Sequence, residues 1–148
     1  MLLAGLIEAG RRTPAAEALL DAVGTPGLPR PLTAFHCCLE FYSVATRLPG
    51  RLRVPPELAL AALDERILQK FDVRQIPADS MQELFVQAVA HRIDGGRIYD
   101  HHVATIARSC AAEIVVTENR RHFTSLLDEG VDVLGSAELA ERLSLDSR

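Results

Sequence analysis

Two carboxylates and one amide stand where this sequence could do chemistry on a charged ligand. Glu40 lies in the stripe His36, Glu40, Ser43 and Arg47, whose spacing puts all four side chains on one narrow face of a helix. Asp100 follows the break at Gly95-Gly96, in line with Val103, Ala104 and Ala107 on the apolar side of a second helix. A carboxylate at the edge of a core needs a partner or a cation. The third group, Thr117-Glu118-Asn119, closes the β-branched run Ile114-Val115-Val116, and open parallel sheets place ligands at the carboxyl ends of their strands.

The elements that must position these residues follow from pattern and punctuation. Thr13-Pro14 caps a helix carrying Ala16, Leu19, Leu20 and Val23, which Gly24 ends. A short strand over 32–34 leads into a helix over 35–48 that is apolar or small nearly all round except for the Glu40 stripe, so it is expected to be buried on most sides. Pro55-Pro56 starts another helix through Glu65, 71–76 reads as a strand, and Ser80-Met81-Gln82-Glu83 reads as a capping box with Met81, Leu84, Phe85, Ala88 and Val89 inward. The Asp100 helix, a strand over 113–117, a helix over 120–127, a strand over 131–134 and a last helix over 136–143 complete the order α-β-α-α-β-α-α-β-α-β-α. Such alternation specifies a single α/β domain over 1–148, a central parallel sheet flanked by helices.

Composition narrows the function. The chain has 148 residues, 48% of them apolar, enough for a sizeable core. Sixteen Lys and Arg against 20 Asp and Glu give a net charge of −4, so a nucleic-acid surface has to be local. Three cysteines, two adjacent as Cys37-Cys38, have no zinc or redox spacing and suit a reducing cytoplasm. The apolar start meets Glu8 too soon for a signal peptide or membrane span. His101 and His102 point about 100° apart on a helix and do not chelate together.

Three of these stretches, in order, resemble the PIN-domain ribonucleases, and among them the VapC-type toxins of toxin–antitoxin pairs. Leu39-Glu40-Phe41-Tyr42-Ser43-Val44-Ala45-Thr46-Arg47-Leu48-Pro49 looks like the family's second motif, Gly95-Gly96-Arg97-Ile98-Tyr99-Asp100 its third and Val116-Thr117-Glu118-Asn119-Arg120-Arg121-His122-Phe123 its fourth. The resemblance implies a PIN-like α/β sandwich and a hydrolase that cuts RNA endonucleolytically. It implies one or two Mg²⁺ or Mn²⁺ ions held by Glu40, Asp100 and Asn119, the last standing where many relatives have Asp, with Thr117 orienting a ligand or water. Hard cations want such oxygen ligands, few carboxylates and open positions. Arg120, Arg121 and His122 would be the local basic patch beside the phosphate. A cognate antitoxin and a homodimer are the implied partners, with no membrane.

The family's first motif is an Asp at the end of a first strand, and nothing acidic precedes Glu8 here. By resemblance, Met1-Leu2-Leu3-Ala4 matches the residues just after that Asp. The expectation is therefore a sheet whose central first strand is missing, with the strand and its Asp encoded upstream of Met1. If they are not, a chain impaired in cleavage and acting through antitoxin binding or dimerisation is the alternative.

Overall fold

The computed structural model describes Leu2–Leu3 and residues 13–145. Five parallel strands form one sheet in the order β3-β2-β1-β4-β5: β1 Leu2–Leu3, β2 Leu32–Ala34, β3 Asp72–Arg74, β4 Ile114–Val116 and β5 Asp132–Leu134. The expectation of a missing central strand is corrected here. Leu2 pairs with Leu32 of β2 on one side, while Leu2 and Leu3 pair with Val115 and Val116 of β4 on the other. Two apolar residues are enough to bridge β2 and β4, which spares both strands an unpaired edge in the middle of the sheet.

Alternation along β4 shows how the layers are built. Val115 and Val116 are both fully buried, yet they belong to different apolar clusters because successive strand side chains point to opposite faces. Val115 joins Val103, Ile106, Ala107, Phe123 and Leu126. Val116 joins Leu19, Cys38, Phe71, Leu139 and Ala140.

The helices are α1 Pro14–Ala22, α2 Phe35–Arg47, α3 Pro56–Leu63, α4 Met81–Ala90, α5 Arg97–Ser109, α6 Thr124–Leu127 and α7 Ser136–Arg142. The Thr13 hydroxyl accepts the Ala16 N–H at 3.1 Å and Pro14 supplies a preset first turn, as the sequence predicts. Gly95 takes φ +52°, a left-handed turn that lets the chain re-enter as α5. No helix among the described residues is long and apolar enough to cross a membrane.

Four expectations need correction. The helix expected over 120–127 is broken: Arg120–His122 form a 3-10 turn, and α6 starts only after Phe123, whose ring is pulled into the core. Ser80 makes no side-chain cap, because the 3-10 turn Ala78–Ser80 runs directly into α4 and leaves it in helical backbone; Glu83 instead accepts from the Gln87 amide at 2.7 Å. On α4 only Leu84 and Ala88 are buried, while Met81, Phe85 and Val89 are exposed. On α2 only Cys38 and Ala45 are buried, and Phe35, Leu39 and Tyr42 reach the surface. Pattern alone cannot tell an apolar face covered by the sheet from one that is uncovered.

Candidate functional site at the carboxyl edge of the sheet

The strand order reverses direction about β1, with β2 to one side and β4 to the other, and parallel sheets hold ligands at the carboxyl ends beside such a reversal. β2 exits there into Phe35 and His36, and β4 exits into Thr117, Glu118 and Asn119. Because α5 runs antiparallel to the β4 it feeds, its first turn, with Tyr99 and Asp100, lies at the same edge.

At the β4 exit, three side chains meet. His122 Nδ1 is 2.7 Å from Asp100 Oδ2 and 2.6 Å from the Asn119 amide nitrogen. One ring nitrogen cannot donate to the carboxylate and accept from the amide at once. The charge-assisted bond to Asp100 takes the ring proton, so the Asn119 amide nitrogen lies against the ring without donating to it, and the amide oxygen faces Arg121. Asp100 and His122 are each about three-quarters buried, so water weakens this pair less than it would a surface one. Asp100 itself is the fourth residue of α5, whose cap position is Gly96, so it does not cap the helix.

Thr117 holds the turn that carries Asn119. It is buried, its N–H donates to Leu134 O at 2.9 Å, and its hydroxyl accepts the Asn119 N–H at 3.1 Å. Glu118 faces the opposite way and accepts the Ser136 N–H at 3.0 Å, while the Ser136 hydroxyl meets that of Thr13 at 3.1 Å. The β4 exit is thereby tied to the starts of α7 and α1, a fastening that the sequence signals only as an acidic residue beside a turn.

The basic patch read from Arg120-Arg121-His122 is largely committed. Arg120 pairs with Glu138 at 2.8 Å, and His122 is taken by Asp100. The Gly135 N–H and then Arg120 hold the Glu138 carboxyl below its ordinary range. Arg121 leans on the Asn119 oxygen at 3.3 Å and has no carboxylate partner among the described residues.

Of the site residues read from the sequence, Asp100, Asn119 and Thr117 thus gather at the β4 exit, and His122, read from the sequence only as part of a basic patch, joins them as the partner of Asp100. The i, i+3 spacing of Asn119 and His122 around a turn was the available signal. Glu40 sits on α2, exposed, with no hydrogen bond or ion pair to Asp100 or Asn119. No group of three or more His, Cys, Asp or Glu side chains able to hold a cation forms among the described residues. The oxygens of Asp100 and Asn119 fit one side of a hard-cation site, and the rest of a complete ligand set is not gathered there.

Comparison with known proteins adds one relative. The chain is 33% identical over 85 residues to Ribonuclease VapC27 of Mycobacterium tuberculosis, a match covering 57% of this chain and 60% of that protein. No family model matches, and no solved structure matches.

Proposed function

We propose that the chain is a single-domain PIN-like protein of the VapC kind, a toxin-like endoribonuclease that hydrolyses RNA phosphodiester bonds with Mg²⁺ or Mn²⁺. The observation that carries the reading is the gathering of Asp100, Asn119 and His122 at the carboxyl edge beside the reversal in strand order, in a chain partly similar to a ribonuclease.

In this reading the cation would be held by Asp100 and Asn119 at the β4 exit, with Glu40 as the ligand expected from α2. When bound, the ion supplies positive charge that makes water a better nucleophile and offsets charge on the phosphate. The chain's own residues do the positioning. His122 holds the Asp100 carboxylate in one orientation, Thr117 fixes the turn from which Asn119 projects, and Arg121 is the cation free to meet a phosphate oxygen. The partners are a cognate antitoxin and a second copy of the chain, and the compartment is the cytoplasm.

A second reading, a cleavage-impaired protein acting through its partners, is favoured by two observations. Asp100 is already paired, and Phe85 and Val89 of α4 lie uncovered. The two readings separate on one assay. Incubated with labelled single-stranded RNA, the chain should give discrete fragments with Mn²⁺ or Mg²⁺ and none with EDTA. Fragments that persist in EDTA, or none under any cation, would remove the cation-dependent ribonuclease reading.

A further inference from the structure

Beside the start of α5, the same edge of the sheet opens into a groove of about 380 Å³. Its walls come from residues that the fold brings to the carboxyl ends of two strands: Phe35 and His36 immediately after β2, and Gln75 immediately after β3. α4 contributes Phe85, and α5 contributes Tyr99 and His102. The Tyr99 and His36 rings are stacked, with centroids 4.4 Å apart and planes 10° from parallel. His102 stands edge-on to His36 at 6.1 Å and 80°, so the Tyr99–His36 stack has one upright imidazole beside it.

We propose that this groove is a nucleobase subsite, which takes a base of single-stranded RNA next to the phosphodiester at Asp100. The inference deepens the ribonuclease reading and rests on it. The volume is that of a small-ligand cleft. Tyr99 is 55% exposed even though one face lies on His36, which leaves ring surface for a base to stack on. Gln75 offers both a donor and an acceptor to a base edge. The His102 imidazole adds a ring nitrogen that can pair with the same base edge.

Two features favour a base over a protein side chain. The groove lies beside the Asp100 cluster at the same edge, because Tyr99, which lines it, immediately precedes Asp100 in the first turn of α5. Its walls combine the aromatic faces of Phe35, Phe85 and Tyr99, an amide and two imidazoles with the aliphatic Leu39, Leu84 and Ile98. The purely aliphatic surface of α4, Val86 and Val89, does not line it.

The test is binding of a short 5′-labelled single-stranded RNA in EDTA, read by fluorescence anisotropy, so that cleavage plays no part. Tyr99→Ala should weaken binding about tenfold, while Tyr99→Phe, which keeps the ring, stays near the parent. An RNA with one abasic position should lose the same factor on the unaltered protein and nothing more on Tyr99→Ala, a result that loss of folding could not imitate. Equal affinity of Tyr99→Ala and the parent for intact RNA would overturn the subsite while leaving the ribonuclease reading in place. So would a Tyr99→Ala protein that binds RNA normally but sediments as a smaller species than the parent, which would make the groove a contact between copies. If the unaltered chain neither binds nor cleaves RNA, the ribonuclease reading falls and the subsite falls with it.

Discussion

The carboxyl edge of the sheet has two halves built on opposite principles. At the β4 exit, polar groups are paired: Asp100 with His122, Asn119 with Thr117 and Arg121, Glu118 with Ser136. Beneath them Phe123 and Leu126 are wholly buried. At the exits of β2 and β3 the surface is aromatic and open, with Phe35, Phe85 and Tyr99 all more than a third exposed. A paired cluster on a packed floor keeps charged groups in fixed positions, as attack on a phosphodiester requires. An open aromatic groove costs little to leave empty and accepts a flat partner. Rigidity and vacancy, side by side, match what the proposed ribonuclease would need to fix one phosphate while stacking the base beside it.

The contrast can be broken from the stability side first. Phe123→Ala removes a fully buried ring from the floor of the β4 exit and should cost about 3–5 kcal/mol in urea unfolding, because a cavity is left under the 3-10 turn. Phe85→Ser, at a side chain 59% exposed, should stay within about 0.5 kcal/mol. Comparable losses at the two positions would mean that the groove, too, is part of the stabilising core.

A smaller effect concerns the histidines of α5. Burial first, and then Arg108 for His101 and His36 for His102, lowers both pKa values below the ordinary 6.5. The folded chain therefore binds these protons less readily than the unfolded chain. Stability is full above pH 6.5 and declines as the pH falls through that value, since protonation then favours unfolding. Glu129 and Glu138, whose pKa values are lowered chiefly by hydrogen bonds from Arg108 and the Gly135 N–H, add a second loss as the pH falls below 4.5. His102→Asn should flatten the first decline in a series of thermal melts and leave the second. A melting temperature that rises between pH 7 and 6 would contradict the assignment.

How much of this was legible in the sequence depended on whether the signal was local. The α5 pattern, the β4 run and the turn at Thr117-Glu118-Asn119 were read correctly, because spacing, β-branching and turn residues are properties of a few adjacent positions. The exposure of α2 and α4 was missed, because an apolar stripe does not say whether anything covers it. The central strand was missed because two residues at the chain start carry no pattern; only pairing to β2 and β4 identifies them. His122 was read as part of the basic patch beside the phosphate and not as the partner of Asp100, because Asp100 lies 22 residues away in sequence.

The central claim is that the Asp100 cluster carries the reaction on RNA. It is tested most directly by measuring cation-dependent cleavage of single-stranded RNA by the parent and by Asp100→Asn, with matched circular dichroism and melting curves. The account predicts a loss of at least about a hundredfold in kcat/KM for Asp100→Asn, since the substitution removes the charge at the centre of the cluster while keeping its shape. Cleavage by Asp100→Asn at the parent's rate, under the same Mn²⁺ or Mg²⁺, would contradict it.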